Sequence, residues 1–325
     1  MIGMHFNTDS FTVPPQISWI RFWDNQTYWR QIHLGVDVYD WTRLDYLVDE
    51  LYSDKNIVFT IGGCPQWIAR NPDQENAAEW IGVGSNSLPS SSGGTDDYGT
   101  AYSNGYDEWN KFIWQLATRY KGKIKAYEIW NEPQLVEFLY PWDSTMREAL
   151  ARMTQRAYNT IKSIDEDALV LAASVLPRTS SGGMTRGGLW WSALQDKGWP
   201  VDRVTCHIYP ENGTGPEKWN EYLGDVLDAM TTYGAPSKLW ITETNYNIPF
   251  GDIIDDVDGY DYVSQTLDYA GGRYVFWYTW DYSSYLGGLD ISSGSGALQA
   301  MIDYEGSPPA SNSGTAYLGD SKIYL

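Results

Sequence analysis

The chain has little of what several classes of function require. Of its 325 residues only two are cysteine, Cys64 and Cys206, and only three are histidine: His5, His33 and His207. Two cysteines make no disulfide framework, and both fall in strand-like runs, where a thiol reads as a small buried hydrophobe. Basic residues are also scarce, 22 Lys and Arg against 42 Asp and Glu, for a formal net charge of −20. Such a surface repels nucleic acid and anionic membrane, so neither is expected as a partner. No run approaches the roughly 18 apolar residues of a membrane span. The opening MIGMHFNTDS has no basic region and no long apolar stretch, so no signal peptide is read there. The acidic run Asp252, Asp255, Asp256, Asp258 and Asp261 invites a calcium reading. Its spacing does not match a calcium loop, because Ile254 falls on the first ligand position. A solvated acidic loop is expected, with no metal and no cofactor.

What is present is apolar and aromatic. Hydrophobic residues make up 42% of the chain and charged ones 20%, enough for one large core or two modest ones. There are 17 Trp, 25 Tyr and 8 Phe. These rings either fill a large core or line a groove for flat apolar faces such as those of sugars, and composition leaves both open.

Eight strand-like runs recur at 1–6, 17–23, 56–62, 123–130, 168–175, 201–209, 238–244 and 273–280. Most are continuously apolar rather than alternating, as parallel strands covered on both faces should be. Helical periodicity fills several of the gaps. In 41–54, Leu44, Leu47, Val48 and Leu51 share a face behind a capping Asp40; in 107–120, Trp109, Phe112, Ile113 and Leu116 do the same. Segments 144–163 and 217–233 read similarly, while 7–16 and 183–197 are weaker helices. This order predicts an α/β fold, a single-domain (β/α)8 barrel over 1–302 with a linker and short tail at 303–325. An open doubly wound sheet is the runner-up, disfavoured because no Gly-rich phosphate loop follows the first strand. Long loops at 83–106 and 245–261 follow the third and seventh strands. In a barrel both belong to the C-terminal face, where active sites are built.

Two carboxylates stand at the ends of strands. KIKAYEIWNEP finishes the fourth strand on Glu132, and KLWITETNY places Glu243 at the end of the seventh. A closed barrel brings those strand ends together across its mouth. A carboxylic acid facing a carboxylate suits hydrolysis of an acetal: one protonates the leaving oxygen and the other attacks the anomeric carbon. Other strand ends supply neighbours. Arg21 in WIRFWD is placed to hold the attacking group ionised through a charge-assisted bond. His207 and Tyr209 in CHIYP share a face, with the Tyr209 hydroxyl expected beside Glu243. Trp280 in FWYTW is expected to floor a sugar site, Trp67 in GGCPQW and Trp130 to wall it, and His5 and Asn131 to complete a polar ring for hydroxyls.

Together EIWNEP, WITETNY, RFWD, TIGGCPQW, CHIYP and FWYTW resemble clan A glycoside hydrolases over nearly all of residues 1–282. The likeness is to family 39, with family 5 as a neighbour. It implies a retaining double displacement on a poly- or oligosaccharide, with Glu132 as acid/base, Glu243 as nucleophile and Asn131 bound to the hydroxyl next to the anomeric carbon. Arg21, His207, Tyr209 and Trp280 match supporting positions. The chain departs from family 39 xylosidases in leaving only about 40 residues after the eighth strand, where those carry a β-sandwich, so the sugar stays open. The tail GTAYLGDSKIYL resembles short C-terminal motifs of actinobacteriophage tail proteins. That likeness implies a virion-borne or extracellular enzyme cutting a host envelope arabinan or galactan, with the tail docked to a partner. A cytoplasmic enzyme, or a catalytically dead barrel serving as a carbohydrate-binding adhesin, are the alternatives.

Overall fold

The computed structural model describes residues 1–5, 13–95, 101–178, 182–211, 214–246, 256–278, 295–306, 315–318 and 321–324. Eight strands form its centre: β1 (Ile2–His5), β2 (Trp19–Phe22), β3 (Asn56–Ile61), β4 (Ile124–Ile129), β5 (Leu169–Leu171), β6 (Val204–Ile208), β7 (Leu239–Thr244) and β8 (Tyr274–Trp277). They pair in parallel in the order β6-β7-β8-β1-β2-β3-β4-β5. Parallel bridges Leu171–Arg203 and Val175–Cys206 join β5 to β6 and close the ring. The fold is the expected (β/α)8 barrel.

Helices alternate with the strands: α1 (Thr42–Asp45, running on as a π-helical stretch Tyr46–Leu51), α2 (Gly105–Arg119), α3 (Ser144–Ile164), α4 (Gly183–Gln195), α5 (Pro216–Tyr233), α6 (Asp256–Ala270) and α7 (Gly296–Gly306). Their starts follow local chemistry. The Asn104 side chain accepts from the amides of Tyr106 and Asp107 at the head of α2, and Asp143 accepts from Met146 at the head of α3. Asp40, expected as a cap, stands one residue before the N-cap Trp41 and accepts from the Thr42 amide at 3.0 Å. The α2 face carrying Trp109, Phe112, Ile113 and Leu116 is fully buried, as its spacing requires. None of the described helices is long and apolar enough to cross a membrane.

Three readings change. The run 168–175 is not one strand: the ladder is interrupted after Leu171, and the chain rejoins β6 through the Val175 bridge and the Thr205 hydroxyl, which donates to the Ala172 carbonyl. The loop after β7 is shorter than the sequence suggests, because α6 begins at Asp256. Asp256, Asp258 and Asp261 therefore fall within a helix and not in a loop. Asp252, Asp255 and residues 7–12 of the weak helix expected at 7–16 lie outside the described residues, as do 307–314; the described part, 13–16, is a turn and not a helix. Within the tail, Thr315–Leu318 runs antiparallel to Ser321–Tyr324.

Strand alternation stacks the barrel interior in layers. Trp19, Val58, Ala126, Leu171, Trp240 and Phe276 form an apolar cluster. Phe276 fills the axis because its neighbour on β1 is Gly3, where a Cβ would lie 2.2 Å from the ring. Two residues further along four of these strands stand Arg21, Thr60, Glu128 and Thr242. All four are buried and polar. The apolar plug thus carries a polar floor directly beneath the C-terminal mouth.

Candidate active site

That floor is one hydrogen-bonded unit centred on Glu128. Its Oε2 accepts from Arg21 Nε at 2.8 Å and Thr60 Oγ1 at 2.8 Å and lies 2.7 Å from Arg21 Nη2 in an ion pair, and its Oε1 accepts from Thr242 Oγ1 at 2.8 Å. Burial would raise this carboxyl; Arg21, His207 and the Thr60 hydroxyl together outweigh it and hold Glu128 below its ordinary value. Arg21 then reaches upward. Nη1 donates to Glu243 Oε1 at 2.5 Å and Nη2 to Asn131 Oδ1 at 2.8 Å. One fully buried guanidinium therefore orients three side chains from β4, the turn after it and β7.

The turn after β4 answers why a strand should end in Trp-Asn-Glu-Pro. Trp130 and Glu132 both have positive φ, +79° and +38°, a conformation that costs a non-glycine residue roughly 1–3 kcal/mol. The surroundings hold it. The Trp130 amide donates to the Ile61 carbonyl at 2.7 Å, its indole to Phe138 at 2.7 Å, and the Glu132 amide to Ser174 Oγ at 3.3 Å. Gly62, at the end of β3, lets Trp23 approach this turn; a Cβ there would lie 2.9 Å from the indole. The result aims Glu132 over the mouth rather than along the strand.

Glu132 and Glu243 face each other there. An oxygen of each, together with a His207 ring nitrogen, lies within 4.8 Å of the others. His207 Nδ1 is 2.7 Å from Glu132 Oε1 and 3.4 Å from Glu243 Oε2. Tyr209 donates its hydroxyl to Glu243 Oε2 at 2.8 Å, so both oxygens of Glu243 are engaged, one by a cation and one by a phenol. A bulge between Cys206 and His207 aligns His207 with Glu243 across the β6–β7 ladder. All three offer atoms that a metal ion binds, but the Arg21 cation already occupies the electrostatic place such an ion would take beside Glu243.

The two carboxylates are tuned differently. Burial pushes Glu132 up to about 7, with Arg178 and Arg21 opposing and Asp24 and Glu128 reinforcing. Burial also raises Glu243, against the pull of His207 and Arg21. The bonds from Arg21 and Tyr209 stabilise the ionised form of Glu243, whereas Glu132 keeps a proton near neutrality. Burial draws the His207 imidazole down to about 4, so it is neutral there.

The structure brings Arg21, Asn131, Glu132, His207, Tyr209 and Glu243 into one cluster. His5 belongs to its rim, 3.7 Å from Asp24 and edge-on to Tyr278; burial and the Arg21 charge hold it well below its ordinary value. One expectation changes. Trp130 is only 1% exposed and its indole is bound to the Phe138 carbonyl, so it supports the turn instead of walling a sugar. Trp67 donates to the His33 carbonyl at 3.2 Å and packs edge-on against that ring. Trp280 lies outside the described residues. Cys64 and Cys206 are free and buried, and burial raises both thiols, which disfavours thiolate chemistry.

Sequence reasoning missed Glu128, Thr60 and Thr242, and the tyrosine partners of Asp24 at the rim. There Asp24 accepts from Tyr28 at 2.9 Å and Tyr278 at 2.7 Å. A charged residue inside the apolar run KIKAYEIW was the available signal for Glu128.

No family model matches the chain. Over 116 residues it is 31% identical to a beta-xylosidase from Caldicellulosiruptor saccharolyticus, a stretch of 32% of this chain and 21% of that protein. Its fold matches a monomeric beta-xylosidase from Caulobacter crescentus CB15 with a TM-score of 0.66 at 19% identity, covering 93% of this chain and 66% of that one. A GH39 enzyme from Xanthomonas axonopodis pv. citri matches with a TM-score of 0.60 at 18% identity, 93% of this chain against 64% of that one. A xylanase 10B from Thermotoga petrophila RKU-1 matches with a TM-score of 0.59 at 14% identity over 93% of both chains. The chain spans about a fifth of the curated relative and about two thirds of the first two structures. The fold is thus that of glycoside hydrolase barrels, in agreement with the family 39 resemblance. These relatives lend nothing to the tail's likeness to phage proteins.

Proposed function

We propose that the chain is a retaining glycoside hydrolase acting on a neutral glycan, with β-linked xylosides the class its relatives favour. The observation that carries this is the approach of Glu132 and Glu243 to within 4.8 Å across a barrel mouth. Retaining enzymes hold their carboxyl groups about 5–5.5 Å apart, whereas inverting ones need roughly 6.5–9.5 Å to admit a water. Glu243, ionised and held by Arg21 and Tyr209, attacks the anomeric carbon. The bond to the leaving oxygen breaks, and that oxygen takes the proton of Glu132. Water then attacks the glycosyl-enzyme, giving its proton to Glu132 and releasing Glu243. Asn131, fixed by Arg21, is placed for the hydroxyl beside the reacting carbon. No cofactor is needed for these steps.

The narrower substrate, an envelope arabinan or galactan cut by a virion-borne or extracellular enzyme with a docked tail, rests on the terminal segment alone. The acidic chain favours an uncharged substrate in either case. The adhesin reading has less support, because both carboxylates and their supporting bonds are intact. Turnover of a panel of aryl β-xylosides, β-glucosides, β-galactosides and α-arabinofuranosides, then of xylan and arabinogalactan, tests the proposal. Hydrolysis of one glycoside class, abolished in Glu243→Gly, is the expected result. Glycan binding with no turnover of any member would establish the adhesin instead.

A further inference from the structure

We infer that Glu128 and Thr242 act as positioning residues that fix the tautomer of His207 and thereby keep the proton on Glu132. This rests on the glycosidase reading for its catalytic meaning, but its starting point is a chain of hydrogen bonds with only one consistent direction. Glu128 is paired to Arg21 and accepts at both oxygens, so it has no proton to give. The Thr242 hydroxyl must therefore point its single proton at Glu128 Oε1, 2.8 Å away. Thr242 Oγ1 is left as an acceptor, and the atom facing it at 3.2 Å is His207 Nε2. Nε2 must carry the ring proton. In a neutral imidazole Nδ1 is then bare, and it lies 2.7 Å from Glu132 Oε1. That contact closes only if Glu132 supplies the hydrogen.

The competing arrangement puts the proton on Nδ1, shared between Glu132 at 2.7 Å and Glu243 at 3.4 Å. It requires Nε2 to accept from Thr242, whose proton is already committed to Glu128. Tyr209 and Arg21 satisfy Glu243 without help from His207. The charged groups around the pair are Arg21 on β2, Asp24 after it, Glu128 on β4, Arg178 after β5 and Glu243 on β7. Burial keeps His207 neutral near pH 7, which is the condition the relay needs.

The consequence is a general acid defended from three residues away. When Glu132 gives its proton to the leaving oxygen, its carboxylate faces a lone pair rather than a donor. It is then a stronger base toward the incoming water than a carboxylate solvated by an N–H. Glu128 touches no reacting atom; it works through Thr242 and His207.

Two measurements test this. Nitrogen-15 NMR of the wild-type protein near pH 6.5 should show His207 with hydrogen on Nε2 and a bare Nδ1; hydrogen on Nδ1 would overturn the relay, whatever the enzyme hydrolyses. Thr242→Val removes the acceptor and frees the ring to donate to Glu132. The alkaline limb of kcat/KM should move down by about one pH unit, and Thr242→Ser should restore it. A Thr242→Val enzyme slowed equally at every pH, its limb unmoved, would reduce Thr242 to a structural role. If wild type turns over no glycoside the functional reading fails separately, and the tautomer still decides the relay.

Discussion

Arg21 donates to Glu243 Oε1 at 2.5 Å from a position with no solvent exposure, and the same guanidinium grips Glu128 and Asn131. The site is therefore built around a buried cation. Arg21→Lys keeps the charge but loses the planar fork, which cannot be replaced at three partners at once. The substitution should cut kcat about 100-fold as Glu243 and Asn131 lose their alignment, and destabilise the fold by less than the roughly 3–5 kcal/mol that removing the charge altogether would cost. Steady-state kinetics and chemical denaturation check both; a Lys variant with wild-type rate would show that Arg21 only fills space.

The pH dependence follows from Glu132. Its carboxyl is raised from 4.5 to about 7 by burial, so kcat/KM should fall as pH rises through about 7 and the acid loses its proton. Stability runs the same way. Between about 4.5 and 7 the folded state holds a proton that the unfolded state has lost, so folding weakens as pH rises through that window. Glu132→Gln mimics the protonated acid and can donate to the bare His207 nitrogen. It should be more stable than wild type at pH 8, by roughly 2–3 kcal/mol, and nearly equal to it at pH 4. Thermal melts at the two pH values read this directly.

Leaving groups separate the acid from the nucleophile. Glu132→Ala should slow glycosides with poor leaving groups by about 10²–10⁴ while sparing those with good ones, since only the former need a proton. Added azide should restore part of the rate by entering the space vacated beside the anomeric carbon. Equal losses for all leaving groups would remove the acid role from Glu132.

Much of this was legible in the sequence because strand ends carry it. Continuous apolar runs separated by helical periodicity sufficed for the barrel, and EIWNEP and WITETNY set two carboxylates at matching positions. The floor beneath them was not legible. Glu128, Thr60 and Thr242 are ordinary members of their strands until the closed ring aligns them with Arg21. Alternation says which residues face inward, not which of eight strands they meet. Trp130 misled for a related reason. An aromatic beside a catalytic motif reads as a sugar platform, whereas here it is buried to hold a strained turn. The acidic run after β7 misled because part of it begins a helix.

Gly62 offers a test of how tightly that turn is packed. A methyl there would press on Trp23 and shift it against the β4 turn. Gly62→Ala should destabilise the fold by about 1–3 kcal/mol, the usual cost of overpacking, and lower kcat as Glu132 moves. A variant unchanged in both melting temperature and kcat would mean that the turn tolerates the displacement.

The most direct test is to trap the intermediate. An activated 2-deoxy-2-fluoro glycoside of whichever sugar the enzyme accepts should inactivate it stoichiometrically. Mass spectrometry of the digested protein should then find the sugar esterified to Glu243, with NMR showing the anomeric configuration retained in normal turnover. Inversion of configuration, or the label on any other residue, would contradict the double displacement across the Glu132–Glu243 pair.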